Sequence, residues 1–226
     1  MTESRLRIDI VSDTICPWCF VGKRRLERAL AARPGLAVEI AWHPFQLNPD
    51  MPREGLDRRR YLEAKFGGAA GARQIYDRIR DAGTGEGIAF DFDAIGTTPN
   101  TVDSHRLVKW AGDAGVQDAV VEALFRAYFF EGRNIGLAEV LADVAAACGM
   151  DRAAIAERLT GEDDRDHVAQ AAQQMAAMGI TGVPCYIVDR RYAISGAQDP
   201  AVFLNLFDEL AREAAGTPGQ SAFPKN

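Results

Sequence analysis

The sequence predicts an α/β fold in which a single sheet is interrupted by a helical insertion. Three observations carry this reading. Two alternating stretches flank a helical one near the start, which makes a β-α-β unit. From about Leu56 to Gly179 the apolar spacing is helical. After Pro184 the alternation returns as a hairpin, and one last helix follows.

The elements follow in order. Leu6, Ile8 and Ile10 alternate with Arg7 and Asp9, so residues 5–11 read as a strand with one buried face. Ser12-Asp13-Thr14 forms a turn. A helix starts at Cys16-Pro17-Trp18-Cys19. Pro17 suits its first position, where a backbone N–H would lack a partner anyway. Leu26, Ala29 and Leu30 give this helix an apolar face, and Pro34-Gly35 stops it. Leu36, Val38, Ile40 and Trp42 make the second strand, joined by a right-handed crossover.

Four helical stretches stand out in the middle, through Leu107–Ala111, Val120–Tyr128, Leu137–Cys148 and Val168–Met178. Trp110, Tyr128, Phe129 and Phe130 read as core. Gly67–Gly71 and Gly83–Gly87 read as loops. Arg58-Arg59-Arg60 reads as a solvated helix face. Tyr186–Val188 and Tyr192–Ile194 flank a polar turn. The last helix is capped by Asp199 and opens on Pro200. The tail from Gly216 is rich in Gly, Pro and Ser. The expected division is residues 1–50 and 180–226 as one sheet domain, with 51–179 as the inserted helical domain.

Composition narrows the function classes. Of the 226 residues 47% are hydrophobic and 26% charged, the balance of a globular protein. The net charge of -6 gives no bulk electrostatic case for nucleic acid. No stretch approaches the roughly 18 apolar residues that a membrane span needs. Charges also break up any signal-peptide core near the start. The expectation is a cytoplasmic protein with no membrane partner. In that reducing compartment a Cys-x-x-Cys pair points to redox chemistry or metal rather than to a structural disulfide.

The pair itself decides between those two. At a strand-to-helix junction, Cys16 meets unpaired backbone N–H groups and the positive end of the helix dipole. Cysteines in such settings have pKa values of roughly 3.5–7.5, against about 8.5 for a free thiol. Cys19 lies one turn further in and should be the less exposed. A zinc site needs four ligands. Cys148 and Cys185 are isolated and His43, His105 and His167 are scattered, so no metal is expected. Free cysteines behave as small hydrophobes, so Cys148 and Cys185 read as reduced, inert thiols.

The segment Ser12-Asp13-Thr14-Ile15-Cys16-Pro17-Trp18-Cys19-Phe20-Val21-Gly22-Lys23 resembles the active-site segment of the DsbA-like thioredoxin family, in its FrnE-like branch. Trp42 to Pro49 resembles the segment after that family's second strand. Asn100-Thr101 with His105-Arg106-Leu107 resembles a stretch of its helical domain. Thr181-Gly182-Val183-Pro184 matches its cis-proline loop. The resemblance implies a thioredoxin fold interrupted by a helical insertion. It implies Cys16 as nucleophile, Cys19 as resolving thiol and Pro17 and Trp18 as tuning residues. It also implies a cis Val183–Pro184 bond, with the Val183 backbone free to pair with a bound peptide. Asn100 and His105 are candidate groove residues, weighed against a helix-start Asn and a satisfied structural His. Cys185 departs from the family, which has a hydrophobic residue or Thr there.

The resulting expectation is a protein disulfide oxidoreductase acting on disulfides or dithiols of proteins or small molecules. No bound cofactor is expected, with glutathione a candidate co-substrate, in a monomer or homodimer. The rival is a glutathione-dependent isomerase or transferase of the 2-hydroxychromene-2-carboxylate isomerase type. Those relatives typically carry Ser at the nucleophile position, whereas both cysteines are present here. A third reading is a binding module that uses the groove without chemistry.

Overall fold

A computed structural model of the chain describes residues 5–214, so the tail from Gly216 lies outside the described residues. The elements in chain order are β1 (Leu6–Ser12), α1 (Pro17–Ala31), β2 (Val38–Pro44), β3 (Leu56–Asp57), α2 (Arg58–Phe66) and α3 (Ala69–Gly85). There follow β4 (Thr97–Thr98), α4 (Val102–Asp113), α5 (Gln117–Phe129), α6 (Ala138–Ala147), α7 (Arg152–Thr160) and α8 (Arg165–Ala177). The chain closes with β5 (Cys185–Val188), β6 (Tyr192–Ser195) and α9 (Pro200–Ala214).

The main sheet has the order β2-β1-β5-β6. β1 runs parallel to β2, with Ile10 opposite Trp42, and antiparallel to β5, with Ile10 opposite Tyr186. Period two then sorts the side chains onto two faces. Ile8, Ile10, Tyr186 and Val188 join the main core with Phe20, Phe203 and Leu206. Val11, Cys185 and Phe45 form a smaller cluster covered by Met175 of α8. This is the sheet interrupted by a helical insertion that the alternation predicts, and the thioredoxin fold that the resemblance implies.

The insertion is not a separate body. α4, α5 and α8 all lie against β2, and one core runs from the sheet into the helices. Phe20 shows how. It follows Cys19 in sequence, is fully buried, and its ring meets those of Phe125 at 5.1 Å and Phe129 at 6.3 Å. Such aromatic pairs contribute about 0.5–1.5 kcal/mol beyond area burial. The turn that carries the cysteines is therefore anchored to α5 from behind.

Three expectations need correction. The short sheet of β3 and β4 was not foreseen. The two Gly-rich stretches are not loops throughout: Ala69–Gly71 opens α3 and Gly83–Gly85 closes it, because helical backbone bonding absorbs the glycines. The third is Arg58, which is buried, while Arg59 and Arg60 are exposed.

Among the described residues, no helix is long and apolar enough to cross a membrane.

Candidate active site

The site starts where β1 ends. Ser12, Asp13 and Thr14 are buried polar residues, and each has a local task. Asp13 accepts from the Leu47 N–H at 2.8 Å, and its carbonyl accepts from the Cys16 N–H at 3.0 Å. Thr14 shares a 2.7 Å hydrogen bond with Ser104 of α4. The turn is thus tied to β2's exit and to the insertion before α1 begins.

Cys16 is the N-cap of α1, with extended backbone (φ -88°, ψ 112°), and Pro17 follows at the first helical position. No acidic residue sits in the first turn of α1. Cys16 is 4% exposed and its thiol donates to the Val183 carbonyl oxygen at 3.6 Å. Cys19 is 1% exposed and lies one helical turn from Cys16, its N–H donating to the Cys16 carbonyl oxygen at 3.0 Å. Burial pushes the Cys19 thiol well above its ordinary range, and the neighbouring Cys16 adds to the shift. The two sulfurs are close but unlike: one at a helix start beside an opening, the other sealed behind it.

The Val183–Pro184 peptide is cis. Pro184 and Tyr186 press on α1 at Gly22. A Cβ there would collide with the Tyr186 hydroxyl and lie 2.9 Å from Pro184 Cγ, so only glycine permits this approach.

A cavity of about 290 Å³ opens in front of Cys16. One wall is Ile15, Cys16, Pro17 and Trp18, and another is Gly182 and Val183. The insertion closes it with Arg58, Tyr61, Leu62, Lys65 and Phe66 of α2 and with Ile75, Tyr76 and Ile79 of α3. The sequence reading missed this half. The signal was present: positions 58, 61, 62, 65 and 66 follow the i, i+3, i+4, i+7, i+8 pattern of one helix face. Its mixture of cations and aromatics hid it from a search for apolar stripes.

Of the expected site residues, Cys16, Cys19, Pro17, Trp18, Val183 and Pro184 come together. Asn100 and His105 do not line this cavity. Asn100 donates to the Met51 carbonyl at 2.7 Å and accepts from the Val102 N–H at 3.0 Å, fixing the start of α4. His105 is buried, with Nε2 3.0 Å from the Phe45 carbonyl oxygen and 3.6 Å from Asp13. Both hold the scaffold behind the turn.

A Cys-x-x-Cys pair at the first helix of such a sheet defines a thioredoxin-fold protein built for thiol chemistry or its close derivatives. Residues 7–208 match the model of the DSBA-like thioredoxin domain, and the chain belongs to that family. It is 32% identical to a probable DsbA oxidoreductase, SCO1869, of Streptomyces coelicolor, covering 96% of this chain and 94% of that one with a TM-score of 0.81. It is 27% identical to the uncharacterized protein YwbO of Bacillus subtilis, over 88% of this chain and 94% of that protein. The fold also matches the cytosolic disulfide reductase DsbM of Pseudomonas aeruginosa, solved with GSH. That match has 20% identity and a TM-score of 0.64, over 91% of this chain and 99% of that one. Family membership makes the chain a thiol–disulfide oxidoreductase or a related enzyme.

Proposed function

We propose that the chain is a thiol–disulfide oxidoreductase of the FrnE-like branch in which Cys16 is the nucleophile and Cys19 the resolving thiol. The observation that carries this is the asymmetry of the pair: Cys16 lines the cavity, whereas Cys19 is sealed and its thiol held protonated by burial. The Cys16 thiolate attacks a substrate disulfide, a Cys16–substrate bond forms, and the first substrate thiolate leaves and takes a proton. Cys19 then gives up its proton and attacks the Cys16 sulfur. The Cys16–Cys19 disulfide forms and the second substrate thiol leaves. Two electrons and two protons pass from the protein dithiol to the substrate, and the reverse sequence oxidises a substrate dithiol.

Pro17 fixes the turn, Trp18 offers an aromatic wall, and Val183 presents backbone to a bound chain. Glutathione is a reasonable co-substrate on this reading, since the similar DsbM was solved with it. The cytoplasm is the compartment proposed, because a reducing pool keeps such a pair cycling rather than permanently closed.

The test is trapping. Cys19→Ser should accumulate a mixed disulfide on Cys16 when given a substrate disulfide, and Cys16→Ser should abolish dithiol-driven reduction of insulin. Full activity in Cys16→Ser ends this reading. The isomerase alternative has one observation in its favour, a TM-score of 0.71 to a 2-hydroxychromene-2-carboxylate isomerase at 17% identity. Glutathione-dependent turnover that survives Cys19→Ser would favour it.

A further inference from the structure

The cavity in front of Cys16 is rich in donors and contains no carboxylate among the described residues. Arg58 is its most unusual member. The residue is 7% exposed, yet no carboxylate among the described residues lies within ion-pair distance of its guanidinium. Nη1 donates to the Tyr128 hydroxyl and Nη2 to the Tyr76 hydroxyl, each at 2.9 Å. These take two of the five guanidinium N–H groups, and no other protein acceptor is found among the described residues. The rings of Tyr76, Tyr128 and Phe92 surround the charge. Burial pushes both tyrosine hydroxyls up, so neither supplies a negative charge.

A buried charge without a counter-ion is expensive, and proteins keep one where a ligand completes the pair. Two further residues with donor groups, Asn48 and Lys65, line the same cavity. The Asn48 side-chain NH₂ is buried with no hydrogen-bond partner. Among the described residues, the Lys65 ammonium reaches only neutral oxygens, those of Asn48 at 3.1 Å and of Tyr61 at 2.5 Å. A second cavity of about 430 Å³ lies beyond Arg58, but Asp57, Glu63 and Asp93 line it and disfavour an anion there.

We propose that Arg58, with Asn48 and Lys65, binds a carboxylate of the substrate, and that the substrate is a small, apolar-bodied disulfide or thiol bearing that carboxylate. The proposal rests on the thiol–disulfide reading above and narrows it. The walls between Arg58 and Cys16 are aliphatic and aromatic, including Leu62, Phe66, Ile79 and Trp18. They suit an apolar body whose sulfur meets Cys16 while its carboxylate meets Arg58. The guanidinium fork matches a carboxylate in a way that an ammonium does not.

The experiment compares bis(para-carboxyphenyl) disulfide with its bis-carboxamide. Wild-type protein should prefer the carboxylate in kcat/KM beyond the preference of dithiothreitol alone. Arg58→Gln should lower the carboxylate-to-amide ratio about tenfold or more, the scale of a charge-assisted hydrogen bond. The loss should fall on KM. Arg58→Lys should recover only part of it. Lys65→Gln, at an exposed position, repeats the test without disturbing the buried cluster. Calorimetric titration with para-(methylthio)benzoate, which cannot exchange disulfides, reads the anion site alone. Binding that needs Arg58 while neither disulfide turns over would sink the redox reading and leave the anion site standing. A wild-type ratio equal to that of dithiothreitol, or a ratio unchanged in both glutamine variants, overturns the proposal.

Discussion

The Cys16 thiol donates to the Val183 carbonyl oxygen at 3.6 Å, across 167 positions of sequence. The contact joins two stretches of the same sheet domain that the helical insertion separates in sequence. It also has a chemical consequence. Once the Cys16 sulfur is ionised or bonded to substrate, it has no proton to donate. On the proposed function, the carbonyl is then free to accept from an N–H of the bound substrate, so that capture of its sulfur and docking of its backbone would share one group.

Thiol reactivity should follow this geometry. Among the four cysteines, Cys16 is the one that lines the cavity. Burial pushes the thiols of Cys19, Cys148 and Cys185 up, and raised thiols react slowly. Iodoacetamide added to reduced protein near neutral pH should therefore modify Cys16 first, read by peptide mass spectrometry. Prior labelling of Cys19 would reverse the assignment of roles.

Gly22 should be intolerant of a methyl group. Its Cα faces the Tyr186 hydroxyl and Pro184, so Gly22→Ala forces α1 away from β5. Overpacking of this kind costs about 1–3 kcal/mol. Gly85→Ala is the control, since nothing lies within 4 Å of a Cβ there and alanine suits a helix better. Urea unfolding should show a clear loss for the first and little change or a slight gain for the second. Equal midpoints would mean that the approach of α1 to β5 is looser than the structure shows.

Much of this frame was legible in the sequence because the signals are periodic. Leu6, Ile8 and Ile10 alternate over a whole strand, and Phe203, Leu206 and Phe207 mark one helix face. β3 and β4 have two residues each, too few to carry a period. The cleft's second wall did carry a helical period, but its cations and aromatics concealed that this face is buried. Arg58 follows Asp57, whose side chain caps α2, and a cation at a helix start ordinarily points to solvent. Only tertiary packing, which brings Tyr76 and Tyr128 from α3 and α5 onto it, makes it a buried group. His105 lies off the cavity in front of Cys16, its ring held by Phe45 and Asp13, which are distant from it in sequence.

Acid should weaken the sheet through Asp9. Burial works against its charge, but hydrogen bonds from Arg7 and His43 outweigh burial and hold its carboxyl below the usual range. A depressed carboxyl contributes stability that is fully present above its unfolded value, about 3.9, and is lost as pH falls through the lower folded value. Asp9→Asn should be less stable than wild type near neutral pH, and the gap should close as pH drops below about 4. Urea midpoints measured across that range test this. A gap that stays constant with pH would assign the loss to packing rather than to the charge.

Cys185 should remain a bystander, although it directly follows the proline beside Cys16. Its position in the sheet argues for this. Cys185 pairs with Val11 and packs with Val11 and Phe45 in the smaller cluster, whereas Cys16 and Cys19 belong to the main core on the other side of β1. Burial pushes its thiol up, which lowers the thiolate fraction available to attack a disulfide. Resolution by Cys19 is favoured over this route because Cys19 lies within one helical turn of Cys16. Oxidised protein should therefore hold a Cys16–Cys19 disulfide with Cys148 and Cys185 still titrating as thiols after unfolding. Cys185→Val should keep the rate of disulfide exchange within about twofold, since a volume-conserving apolar swap costs under about 1.5 kcal/mol of stability and touches no reacting atom. A Cys16–Cys185 or Cys19–Cys185 crosslink in the peptide map would overturn this and make Cys185 a third partner in the exchange.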